Sequence, residues 1–184
     1  MSSDPMRRGG LDASAHGRRP GLVGLRHRAA FCLLVLASAF PASAGLAMGP
    51  KVACGLLDRE GLRTREGYRD SGQGTFRCAS VGHPFPRGAV GGDEIRFSAT
   101  GSRGQVGQLQ LELALHSRGD LRPVLDAFAS LADALSVRSV GQPLPADARR
   151  AMALGVPGAW HIGRAEVALE KITGAVPSLR FVIR

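Results

Sequence analysis

The run "QVGQLQLELAL", residues 105–115, sets Leu109, Leu111, Leu113 and Leu115 against Gln108, Gln110 and Glu112 at strict alternation. Successive side chains of a strand project to opposite faces, so this stretch fits a strand with one buried and one wet side. Half-wet sheets are typically antiparallel. "DEIRFSAT", residues 93–100, repeats the period with Ile95, Phe97 and Ala99, and the short link "GSRG" between the two runs predicts a hairpin. Everything else in the chain has to supply neighbours for that hairpin and a cover for its apolar face.

The cover is legible downstream. "LRPVLDAFASLADALSV", residues 121–137, carries Leu121, Val124, Leu125, Phe128, Leu131, Ala132 and Leu135 at helical spacing, with Asp120 placed to cap it. Pro145 starts a shorter helix through "ADARRAMAL", closed at Gly155, and two strands follow around "RAEVALEKI" and "SLRFVIR". Upstream, Pro50 opens a short amphipathic helix, "KVACGLLDREG", with Val52, Ala53, Leu56 and Leu57 on one face and Gly61 at its end. "TFRCASV", after the turn "DSGQG", reads as the first strand. The expected order is α-β-β-β-α-α-β-β, an α+β fold with an antiparallel sheet of about five strands and helices packed on one face.

Residues 1–44 follow other rules. Arg26, His27 and Arg28 precede a twelve-residue apolar run, residues 29–40, and Pro41 breaks it before Ala42, Ser43 and Ala44. This is the layout of a secretory signal peptide cut after Ala44. Twelve residues are too few to span a membrane, which takes roughly 20. Cys32 lies inside the run, where a lipidated cysteine would not, and residues 1–25 are Gly/Ser/Pro/Arg-rich without periodicity, the composition of a disordered segment. The expected organisation is a disordered segment and cleavable leader over 1–44, then one α+β domain over 45–184. Such a protein is periplasmic or secreted and meets the membrane only through its leader.

Removing the leader changes the charge argument. The chain has 24 Lys and Arg against 15 Asp and Glu. Six arginines and two aspartates precede residue 45, so 18 bases and 13 acids remain, a net +5 instead of +9. The remaining bases are scattered, with no basic stripe and no interleaved aromatics, which argues against nucleic acid as a partner. Arg63, Arg65 and Arg69 offer an anionic envelope ligand some purchase, but Glu60, Glu66 and Asp70 beside them suggest a self-neutralised surface.

In an oxidising compartment the two remaining cysteines, Cys54 and Cys78, have one possible pairing and are expected to form a disulfide. Zinc would need four ligands, and no C-x-x-C or H-x-x-x-H spacing is present, so no metal or other cofactor is expected. The spacing of Cys78 and His83 gives a nucleophile and base almost no support, because proximity in sequence says little about proximity in space, and the disulfide is the favoured reading.

No G-x-S-x-G elbow, P-loop or G-x-G-x-x-G opening is present, and His83, His116 and His161 have no carboxylate or second histidine at ligand spacing. No catalytic residue is assigned. Two loops are better placed for recognition: residues 82–92, with Phe85 and Arg87, and residues 155–164, with Trp160, His161 and Arg164. Aromatics of this size serve burial first, so Phe85 and Trp160 read foremost as plugs at the ends of the core and only then as recognition residues. The element order resembles that of the small secretion chaperones, and leader and domain together resemble the short exported proteins of high-GC bacteria. The expected function is that of a non-enzymatic binding or accessory protein of the cell envelope, engaging another envelope protein or an anionic envelope ligand. The rival is an envelope enzyme or enzyme inhibitor with a pocket around His161 or His83.

Overall fold

The computed structural model describes residue 46, residues 48–86 and residues 92–184. The predicted leader and Arg87 lie outside the described residues. The elements are α1 (Pro50–Cys54), β1 (Arg69–Gly72), β2 (Thr75–Ala79), β3 (His83–Pro84), β4 (Glu94–Gly101) and β5 (Val106–Ala114), then α2 (Arg122–Val140), α3 (Ala146–Ala153), β6 (Gly158–Ile162), β7 (Ala165–Ile172) and β8 (Ser178–Ile183). The strands form one eight-stranded antiparallel sheet in the order β1-β2-β4-β5-β8-β7-β6, with β3 also paired to β4.

The period-2 runs become the middle of this sheet. Phe97 stands opposite Leu111, Leu111 opposite Phe181 and Phe181 opposite Leu169; a second row runs from Ala99 through Leu109 and Ile183 to Val167. Every side chain in these rows is buried, and they share one core with Val124, Leu125, Phe128, Leu131 and Leu135 of α2 and with Ala148 and Met152 of α3. Burying one such large apolar side chain is worth roughly 1.5–3 kcal/mol. The helices cover this face, and the opposite face carries the polar alternates.

Asp120 accepts the Arg122 N–H at 3.0 Å and so caps α2 from just outside it. The helix ends at Gly141, whose φ of 78° is a left-handed conformation that favours glycine. Asp133 and Ser136 then pin the turn toward α3, Asp133 by accepting the Leu144 N–H at 2.8 Å and Ser136 by donating to the Gln142 carbonyl at 2.7 Å.

The sheet has eight strands where the sequence predicts about five. The three additional strands are short and weakly patterned: β1 is exposed throughout, β3 has two residues, and β6 carries Gly158 and His161. The three extra strands also take the order beyond the likeness to secretion chaperones. The predicted first helix is shorter as well. It stops at Cys54, and the chain continues in turns to Gly61, so Val52 is 61 % exposed while Ala53, Leu56 and Leu57 remain buried.

Cys54 and Cys78 are joined, with their Cα atoms 6.0 Å apart. The bond ties the end of α1 to β2, the second strand and not the first. Beside it, Tyr68 stacks on Phe76 with ring centroids 5.9 Å apart and donates its hydroxyl to the Gln105 carbonyl at 3.3 Å. No helix among the described residues is long and apolar enough to cross a membrane.

Candidate functional site

On the helix-covered side, an open groove of about 630 Å³ lies between the turn after α1, β3 and the flank of α2. Leu62, Phe85, Ile95 and Leu131 form its apolar floor, and Ala127 and Ser130 of α2 lie along one wall. Two polar anchors beside the groove fix the elements that form it. Arg138 of α2 grips Glu60 with both guanidinium nitrogens at 2.5 Å and donates to the Leu56 carbonyl at 2.6 Å. The hydrogen bonds to Glu60 raise the Arg138 pKa further, outweighing the opposing effect of burial.

The other anchor is Asp93, buried at the mouth of β4. Its carboxylate accepts the N–H groups of His116 and Ser117 at 2.7 and 2.8 Å and the Ser117 hydroxyl at 2.6 Å. Burial pushes this carboxyl up, but the Ser117 and His116 hydrogen bonds and the nearby His116 charge outweigh it and hold the group below the ordinary aspartate range. The Asp93 carbonyl also accepts the Phe85 N–H at 2.9 Å, which seats Phe85 at the groove.

Two of the residues singled out from sequence therefore meet in one place. Phe85 is 9 % exposed and His83 is half-buried, and both line the groove. Phe85 is a core plug and a groove wall at once. The His83 ring makes no hydrogen bond to a carboxylate among the described residues.

The second loop is dispersed by the strand it turns out to contain. Trp160 and His161 are consecutive in β6 and point to opposite faces. Trp160 packs against the core, lies over Gly158, where a Cβ would come within 2.6 Å of its ring, and donates Nε1–H to Asp147 of α3 at 3.0 Å. It anchors the edge strand to a helix. His161 is exposed opposite Glu166, and Arg164 stands in the β6–β7 turn. These three residues form no common site.

The open face of the sheet divides into two halves. At its centre, Arg180 lies between Glu112 and Glu170, at 4.0 and 3.7 Å, and Arg184 reaches Glu170 at 3.6 Å and Gln108 at 3.1 Å. Toward the β1–β2 end, a concavity of about 760 Å³ is bordered by Arg65, Arg69, Arg77 and Arg96. Sequence reasoning missed Arg77 and Arg96 as members of this group, because they come from strands 19 residues apart in the chain. β2 on β4 sets Arg77 opposite Thr100, four residues along the strand from Arg96, and the two border the same concavity.

Among the described residues, no group of three or more His, Cys, Asp and Glu could hold a metal ion. The arrangement offers an apolar recess on one side of the sheet and a concentration of guanidinium groups on the other. No protein-family model, curated protein or solved structure matches the chain.

Proposed function

We propose that the chain is an exported, disulfide-stapled, non-enzymatic binding protein of the bacterial cell envelope whose groove receives an apolar segment of another envelope protein. The observation that carries this reading is the groove. Its volume of about 630 Å³ lies within the range of roughly 300–1,000 Å³ typical of ligand sites, and its lining is mainly apolar with few polar groups. Support for export comes from the leader pattern of residues 26–44, with which a bonded Cys54–Cys78 pair is consistent.

The rim favours a polypeptide occupant held by its side chains. Pro84 and Pro86 have no N–H to offer, so a visiting strand cannot extend the sheet through them. Apolar anchors inserted beside Phe85 and Leu131 would instead displace water from a preformed recess, the arrangement typical of interface hot spots.

The test is photocrosslinking in cells from a photoreactive residue in place of Ser130, an exposed position on the groove wall. The expected result is one discrete adduct with a protein of the envelope fraction, abolished by Ala134→Arg or Ala127→Arg, which fill the groove from α2. An adduct that survives both substitutions, or no adduct, overturns the reading. Export is checked separately by the intact mass of the native protein: loss of residues 1–44, and a gain of two hydrogens on reduction.

A further inference from the structure

We infer that the concavity at the β1–β2 end of the open face is a binding site for a ligand carrying two or more closely spaced phosphate groups. It is separate from the apolar groove and does not depend on that reading.

The argument begins with the register. Arg69 of β1 stands directly opposite Arg77 of β2, on the open face. Like charges directly opposite each other across a strand pair are destabilising; Glu66 on Arg69 offsets part of this, and a bound anion beside Arg77 would offset the rest. The acids that the sequence sets beside these arginines leave Arg65 and Arg77 without a carboxylate among the described residues. Glu60 is held by Arg138 on the helix side. Asp70 spends one carboxylate oxygen on the Gly72 N–H at 2.7 Å. Glu66 pairs with Arg69, and Glu94 pairs with Arg96 at 3.5 Å. Arg65 and Arg77, both exposed, have no ion-pair partner among the described residues.

The site is concave, with a volume of about 760 Å³, and four arginines line it against two carboxylates, Glu66 and Asp70, so its charge is net positive. Space for one of the arginines depends on Gly82: a Cβ there would lie 2.4 Å from a Glu94 carboxylate oxygen and 3.1 Å from Arg96 Nε. Any larger residue would push the Arg96–Glu94 pair away from the concavity wall.

Ligand class follows from donor geometry. A guanidinium is a planar fork that matches the oxygens of a carboxylate or phosphate in bidentate fashion. A single carboxylate satisfies about one such fork. Arg69 and Arg96 already have a carboxylate each, but Arg65 and Arg77 are, among the described residues, two unpaired forks on one hollow, and two adjacent phosphates on a compact ligand supply an acceptor set for each. Closely spaced phosphates are found in soluble pyrophosphate compounds and in neighbouring phospholipid headgroups on a bilayer surface, which the experiment separates.

The experiment uses the full chain, with pyrophosphate as the probe, in titration calorimetry at low ionic strength. One equivalent of pyrophosphate should bind, Arg77→Gln should weaken it at least tenfold, and Arg63→Gln, which removes the same charge from outside the concavity, should change it less than twofold. Equal losses in the two variants would show diffuse electrostatic attraction and overturn the site, as would no binding at millimolar pyrophosphate. Co-sedimentation with phosphatidylglycerol vesicles assigns the source: binding that pyrophosphate displaces identifies a lipid headgroup, and pyrophosphate binding without co-sedimentation identifies a soluble ligand. Vesicle binding insensitive to both pyrophosphate and Arg77→Gln counts against the proposal. Thermal unfolding keeps the result interpretable, since each variant must retain a cooperative transition.

Discussion

The middle of the sheet and its β1–β2 end solve the same problem by different means. In β4, β5, β8 and β7, long strands bury continuous apolar rows on one face, while opposite charges alternate across the other, Glu112 and Glu170 flanking Arg180. In β1 every residue is exposed, in β2 only Cys78 is buried, and Arg69 faces Arg77. Apolar burial holds the first region. A covalent bond and one aromatic pair, Tyr68 on Phe76, hold the second. Where a segment is too short and polar to bury its own apolar surface, a disulfide supplies stability that packing does not.

The largest expected effect comes from breaking that bond. Replacing Cys54 and Cys78 together by serine opens a loop spanning 24 positions, which by the chain-entropy argument costs about 3.5 kcal/mol. Urea unfolding of the full chain should show this loss as a lower midpoint, with a slope no smaller than the wild type's because the unfolded chain without the crosslink exposes more surface. Native-state hydrogen exchange should show β1 and β2 opening before β5 and β8 in the variant. A cost below about 1 kcal/mol, or equal loss of protection across the sheet, would remove the contrast between the two regions.

A smaller effect, with a defined pH dependence, belongs to the central region. Asp93 is buried and its carboxylate accepts three hydrogen bonds that join the start of β4 to the segment after β5. Its folded pKa is depressed, so the carboxylate contributes stability in full above the unfolded aspartate value of about 3.9 and loses it as pH falls through the folded pKa. Asp93→Asn should therefore cost about 1–3 kcal/mol at neutral pH. The gap between the two proteins should close in acid. Denaturant midpoints at pH 7 and at pH 3 test this, and an equal gap at both would mean that the carboxylate charge is not what holds the junction.

The same contrast explains what was readable from the residues. The central strands and the two larger helices were visible because each buries a periodic stripe: Leu109, Leu111 and Leu113 at period 2, and Val124, Phe128 and Leu135 at helical spacing. The mixed fold with its antiparallel sheet followed from them, and the cysteine pairing from there being only two cysteines after the leader pattern. β1, β3 and β6 were not visible, because backbone pairing to an existing edge puts no apolar period into the sequence. The groove was foreshadowed only through Phe85 and His83, since its other walls come from α2 and from the turn after α1. The arginine cluster depended on register. Charge counting along the chain set Glu60 against Arg63 and Arg65, whereas in space Glu60 belongs to Arg138.

The smallest expected effect is the most discriminating, because its sign differs between the two halves of one face. Arg77 faces Arg69 across β1 and β2, so Arg77→Gln removes a repulsion and should stabilise the protein, by about 0.2–1 kcal/mol at low salt. The Glu66 contact on Arg69 offsets part of that repulsion, which places the gain toward the low end. Arg180 lies between Glu112 and Glu170 in the same sheet, so Arg180→Gln should destabilise by a similar amount. Both changes remove one positive charge, so an effect of net charge alone would move the two variants in the same direction. Added salt should shrink both differences, since these groups face solvent. Pyrophosphate should act on one variant pair only: by stabilising the wild type and not Arg77→Gln, it should reverse their order, while the difference between Arg180→Gln and wild type stays within a few tenths of a kcal/mol of its value without ligand. If Arg77→Gln destabilises in the absence of pyrophosphate, Arg69 and Arg77 do not repel each other in the folded sheet, and the electrostatic contrast between the two halves of the open face disappears.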